Sequence, residues 1–294
     1  MVKAGAAPLV HLLRRRARAL PFLHRFLRLL GATTTKTFRR RLTARSTRGR
    51  SVASPGEPKR LAAAEEPQEQ EQAVGPARDP DAAVAAGKYW AHRHSLFSLY
   101  DRGVRMDAEG WYSATPESIA ASQAARAAPG DLVVDAFAGC GGNSIQFAAR
   151  GCYVVAVEID PRKVELAAHN ARVYGVEDRI EFVVGDFFHL APSLKADLVF
   201  LSPPWGGPSY IQAPVYTLDM LKPKDGYTTF QAAQKIAPNV IMFLPRTVDI
   251  SQVEELSWLS CPPLDVETEE SYVQHRLKGI TAYFGRTARP PSDH

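Results

Sequence analysis

From residue 131 onward, short apolar runs alternate with stretches in which apolar positions recur every three or four residues. The runs 132–137, 153–158, 180–184, 197–201 and 240–244 predict buried strands. The intervening segments 143–150, 161–174, 228–236 and 249–258 predict helices. The helix from Pro161 is bounded by Asp160 before it and Gly175 just after it, the usual chemistry of helix ends. Segments 266–272 and 279–284 predict a terminal antiparallel pair. Such alternation predicts an α/β fold: a Rossmann-like, doubly wound, mostly parallel seven-stranded sheet with helices on both faces.

The pattern before residue 131 is different. Lys88-Tyr89-Trp90 opens a stretch with helical apolar spacing at Trp90, Leu96, Phe97, Leu99 and Tyr100. Thr115 is the expected N-cap, and Pro116 the first residue, of a helix reaching about Arg126. This extension, 88–130, precedes the first strand, where it can cover a site. His92 and His94 flank Arg93 without an evident acidic partner and read as surface residues. Residues 57–87 are rich in Pro, Gln, Glu and Ala and predict a disordered linker. The core is expected over 131–286, with a short tail over 287–294.

Charge sharpens this division. The net charge of +5 comes from 36 Lys+Arg against 31 Asp+Glu. Residues 1–60 hold 16 of the bases and a single acid, Glu57, so the remainder carries 20 bases against 30 acids. An acidic body can meet RNA only through a local patch. The Arg-rich segment 1–56 fits a nuclear-localising or nucleic-acid-attracting tail, an organellar transit peptide, or a disordered tail. No stretch approaches the roughly 18 apolar residues of a membrane span. Cys140, Cys152 and Cys261 lack ligand-like spacing, so neither a disulfide framework nor a metal site is expected.

Candidate chemistry lies at the strand ends. Asp135-Ala136-Phe137-Ala138-Gly139-Cys140-Gly141-Gly142 follows the first strand, and its glycines permit a sharp turn and close ligand approach. It lacks the last glycine of a dinucleotide fingerprint and the lysine of a phosphate loop. The spacing matches the Asp-x-Phe-x-Gly-x-Gly-Gly loop of S-adenosylmethionine enzymes, with Asp135 suited to the cationic end of that cofactor. Glu158, closing the second strand, can accept both ribose hydroxyls. Asp186, after the third, can accept from the adenine amine, whereas Asp160 reads as a helix cap. After the fourth strand comes Ser202-Pro203-Pro204-Trp205-Gly206-Gly207. Two prolines end the strand and stiffen a loop whose carbonyls and indole suit a flat nitrogenous ring. Carbonyls of Ser202 and Pro203 could accept the hydrogens of an exocyclic amine, and Trp205 could stack on the ring.

With these blocks in order, the chain resembles the trimethylguanosine synthase family, class I methyltransferases acting on guanine N2 of RNA caps. The resemblance runs from about residue 88 to 284. It includes Lys88-Tyr89-Trp90, Thr115-Pro116-Glu117, Phe243-Leu244-Pro245-Arg246 and Ile280-Thr281-Ala282-Tyr283-Phe284-Gly285. Glu158 stands where the family often has Asp. The resemblance implies S-adenosylmethionine as cofactor, with Phe97 and Thr115 covering it. It implies Lys88, Tyr210 and Arg246 as holders of the cap phosphates, with Trp205 on the base. The implied substrates are 7-methylguanosine caps of small nuclear and nucleolar RNAs, in the nucleus and alongside ribonucleoprotein proteins. Other readings are an N2-guanine methyltransferase for rRNA or tRNA, a glutamine methyltransferase, and a non-catalytic cap-binding scaffold.

Overall fold

The computed structural model describes residue 87 and residues 89–289. Lys88, segment 1–56 and all but the last residue of the linker lie outside the described residues. The strands are β1 (Leu132–Asp135), β2 (Tyr153–Glu158), β3 (Ile180–Val184), β4 (Leu198–Leu201), β5 (Val240–Pro245), β6 (Val266–Val273) and β7 (Arg276–Phe284). They form one seven-stranded sheet in the order β3-β2-β1-β4-β5-β7-β6. The first five are parallel, and β7 runs antiparallel to both β5 and β6. The longer helices are α1 (Glu117–Ala125), α2 (Gly142–Ala149), α3 (Pro161–Val173), α4 (Gly226–Gln234) and α5 (Ile250–Glu255).

Alternation along the strands builds a core on each face. Val134, Val199 and Val240 join Phe230 of α4 and Val253 of α5, whereas Val133, Leu198 and Ile241 join Ile145 and Phe147 of α2 and Ala171 of α3. Successive residues of a strand point to opposite faces, which is why neighbours belong to different clusters. The strand order reverses between β1 and β4. A crevice therefore opens at the carboxyl ends of those two strands, where ligands of open α/β sheets bind.

The extension departs from the expected helical stretch. It breaks into a one-turn helix, Arg93–Leu96, a 3-10 turn, Tyr100–Arg102, and a second single turn, Gly110–Ser113. Phe97 itself is extended (φ −142°, ψ 112°) and 2% exposed. Tertiary hydrogen bonds override the local helical spacing here. Glu117 accepts from the Ser98 amide at 2.6 Å, the Ser98 hydroxyl at 2.8 Å and the Tyr174 hydroxyl at 2.6 Å. Helix α1 starts at Glu117, with Pro116 outside it at the cap position and no side-chain cap from Thr115, which is buried. His94 stays exposed but has an acidic partner after all: its Nε2 lies 3.1 Å from Asp101. At the other end the fold continues past 286, with Thr287 buried in a 3-10 turn, Gly285–Ala288.

Candidate active site

The first wall of the crevice is the β1–α2 loop. Asp135 ends β1 and is 1% exposed. Its Oδ2 accepts from the Ser144 hydroxyl at 2.6 Å, while Oδ1 has no hydrogen-bond partner among the described residues. Burial raises its pKa to about 6, against the opposing pull of the Ser144 hydroxyl and the Phe137 amide. An ionised carboxylate with one orphaned oxygen is costly to bury, so the site favours a cationic donor there. The amino-acid end of S-adenosylmethionine is such a donor. Gly139 (φ +52°) would point a side chain into open space, leaving room for a ligand. Gly141 (φ +91°) serves another purpose: a Cβ there would lie 3.0 Å from Ala167 Cβ, so this glycine seats the loop against α3.

Glu158 ends β2 and Asp186 follows β3, and each makes hydrogen bonds within the fold. Glu158 accepts from the Gly139 amide at 2.9 Å and the Asp160 amide at 3.0 Å. A carboxylate offers about four acceptor positions, so ribose hydroxyls still have room. Ile159, beside it, is 69% exposed, an apolar surface that a flat base would cover. Sequence reading passed over Ile159, although an apolar residue directly after the ribose acid is a usable signal. Asp186 caps the single-turn helix Phe187–Leu190 through the Phe188 amide at 2.8 Å and lies 3.3 Å from His189. Phe97 and Thr115 close over Gly142: the Phe97 ring and the Thr115 carbonyl would lie 3.6 and 3.8 Å from a Cβ there.

The second wall is the loop after β4. Pro204 and Trp205 carbonyls accept from the Lys222 amide at 3.1 Å and the Tyr216 hydroxyl at 3.2 Å. The Trp205 indole N–H donates to the Phe243 carbonyl at 3.3 Å. Phe243 and Tyr210 flank the indole, each with ring centroid at 5.2 Å, Tyr210 nearly perpendicular at 82°. The polar groups of Trp205 are thus committed to holding the ring. By contrast, the carbonyls of Ser202 and Pro203 accept nothing from the described residues. A cavity of about 470 Å³ is lined by Trp205, Tyr210, Ser209, Gln212 and Met220 among others.

Arg246, at the end of β5, is exposed and forms no ion pair among the described residues. Its charge is felt at the half-buried Tyr210, whose pKa burial raises while Arg246 opposes the rise. Tyr210 and Trp205 therefore line one cavity, with the charge of Arg246 felt at Tyr210. Lys88, predicted to join them, lies outside the described residues.

One stripe of α3 couples the extension to the first wall, and sequence reading missed it. Lys163 pairs with Glu109, the His169 ring contacts the Gly103 carbonyl at 2.7 Å, and Tyr174 meets Glu117. Asn170, fully buried, does most. Its Oδ1 accepts from the Arg105 amide at 2.8 Å, and its Nδ2 donates to the Arg105 carbonyl at 2.8 Å and the Cys140 carbonyl at 3.0 Å. One side chain thereby ties the covering segment to the glycine loop. A second buried chain runs from Asn143 to Gln123 (2.7 Å), then to Thr281 (3.0 Å) and Ser271 (2.8 Å).

Comparison with known proteins identifies the family and the fold. The family described as RNA cap guanine-N2 methyltransferase matches residues 130–287. A trimethylguanosine synthase of Schizosaccharomyces pombe is 43% identical over 183 residues, 59% of this chain and 76% of that protein. A trimethylguanosine synthase of Saccharomyces cerevisiae is 38% identical over 211 residues, 67% of each chain. Among solved structures, a putative methyltransferase from Porphyromonas gingivalis superposes with a TM-score of 0.56 at 16% identity, over 75% of this chain and 55% of that one. That likeness concerns the fold.

Proposed function

The chain belongs to the RNA cap guanine-N2 methyltransferase family, and from that footing we propose which residues carry the reaction, S-adenosylmethionine-dependent methylation of guanine N2 in a 7-methylguanosine cap. When bound, S-adenosylmethionine supplies an electrophilic methyl group on a sulfonium and leaves as a neutral thioether. Asp135 Oδ1 receives the ammonium of its amino-acid end, Glu158 the ribose hydroxyls, and Ile159 covers the adenine beside Asp186. Phe97 and Thr115 exclude water from above the glycine loop.

The exocyclic amine of guanine is a weak nucleophile because its lone pair is delocalised into the ring. Carbonyls of Ser202 and Pro203 accept the two N2 hydrogens, which turns that lone pair toward the methyl carbon and stabilises the positive charge growing on nitrogen. The surplus proton then departs from N2 to water. Trp205 stacks on the base, and an indole over a cationic ring contributes roughly 0.5–2 kcal/mol, the source of preference for a 7-methylated guanine. Tyr210, Arg246 and Lys88 hold the phosphate bridge. Two passes give the 2,2,7-trimethylated base, on small nuclear and nucleolar RNAs in the nucleus, among ribonucleoprotein proteins.

The observation that carries this reading is the pair of unused carbonyls at Ser202 and Pro203, beside an indole whose own polar groups are occupied. The test supplies radiolabelled methyl donor with 7-methylguanosine diphosphate and, separately, with guanosine diphosphate. Label is expected in the first alone. Label in neither, with transfer to rRNA or tRNA instead, would overturn the cap assignment; equal label in both would overturn the stacking argument.

A further inference from the structure

Resting on that cap reading, we infer that the RNA chain beyond the cap leaves the site over the loop carrying Lys222 and Lys224, whose ammonium groups contact its first phosphates. Met220 lines the cavity beside Trp205 and ends the 3-10 turn Leu218–Met220. Two residues further on, the Lys222 amide donates to the Pro204 carbonyl, which pins the loop against the Ser-Pro-Pro-Trp segment. A strand passing over the Met220 wall therefore meets Lys222 first and Lys224 next.

Both lysines are exposed and neither forms an ion pair among the described residues. Lys224 stands 4.7 Å over the Phe188 ring, which holds its ammonium in place without neutralising it. Other bases of the body are paired with acids: Lys163 with Glu109, Arg126 with Glu267 and Arg286 with Asp131. Of the two carboxylates in the same loop, Asp225 is spent on the Thr228 amide (2.8 Å) and hydroxyl (2.6 Å). Asp219 bears on the Tyr216 and Tyr227 hydroxyls. Two of the six lysines in residues 89–289 thus fall beside the catalytic loop of an otherwise acidic body, uncommitted. A polyanion is the partner that fits them.

The experiment uses the full chain and its Lys222→Glu/Lys224→Glu double variant. Two substrates are compared, 7-methylguanosine diphosphate and a capped ten-nucleotide RNA, at matched salt. For the capped RNA, KM should rise about tenfold and the slope of log affinity against log salt should fall by about 1.4, two single-strand phosphate contacts' worth. For the cap nucleotide, kcat and KM should stay within about twofold of wild type. Equal losses on both substrates would place the lysines on the cap or cofactor and overturn the inference. An unchanged RNA response would also overturn it, leaving the pair to an acidic protein partner. Failure of wild type to methylate the cap nucleotide would instead sink the cap reading, a distinguishable result.

Discussion

The two walls of the crevice are built on opposite plans. On the β1 side, Asp135, Glu158 and Asn170 are drawn into hydrogen bonds with the fold, and one carboxylate oxygen is left deprived deep inside. On the β4 side Pro204 and Trp205 anchor the loop by hydrogen bonds to Lys222, Tyr216 and Phe243, and the Ser202 and Pro203 carbonyls accept nothing from the described residues. On the assignment proposed above, the first wall holds a buried carboxylate that a cation relieves and governs affinity for cofactor. On the same assignment the second, a stiff frame with neutral acceptors, governs which ring is presented and how its amine is aimed.

If the division is real, damage to one wall should spare the other. The largest effect is expected from Trp205→Ala, which should lower kcat/KM on 7-methylguanosine diphosphate by 100-fold or more, on the order of 3 kcal/mol. Cofactor affinity by calorimetry should hardly move, and a matching loss there would break the comparison. Next comes Asp135, with a pH signature. Its carboxyl, raised to about 6, must be ionised to take a cation, so cofactor affinity should be flat above that pH and fall as pH drops through it. The ligand-free protein should respond with the opposite sign. A carboxyl whose folded pKa is raised favours the fold at low pH, and that contribution is lost as pH rises through about 6. Cofactor-induced thermal stabilisation, measured from pH 5 to 8, should therefore grow with pH; Asp135→Asn should flatten the curve. The smallest effect belongs to Asn170→Ala. Removing its bonds should raise the cofactor KM about tenfold, comparable to losing one to two net hydrogen bonds. If kcat fell and the cap KM rose in proportion, Asn170 would be a general structural residue and not a link between cover and loop.

Much of this wall-by-wall arrangement was legible in the residues. The strands ending at Glu158 and Leu201 show as apolar runs because both faces of the sheet are covered, and Gly139 and Pro203 mark loops by their backbone limits alone. Such signals are local. Asn170 and Tyr216 leave none, since their partners stand 65 and 11 residues away and an asparagine in a helix carries no mark of what it will clamp. The same blindness explains the extension. Apolar spacing around Phe97 suggested continuous helix, but Glu117 and Tyr174 outbid the local preference with bonds formed only in the assembled fold.

The clamp at Asn170 also has a bearing on how this chain tolerates change. It holds Arg105 by the peptide N–H and carbonyl, and the Arg105 side chain is exposed. The clamp therefore does not depend on the side chain of residue 105, only on whether the peptide unit there can both give and take a hydrogen bond. Nearly any residue satisfies that condition, and proline, lacking the N–H, does not. The side chain at this point can change while the seat over the glycine loop, held by the peptide unit, stays as it is.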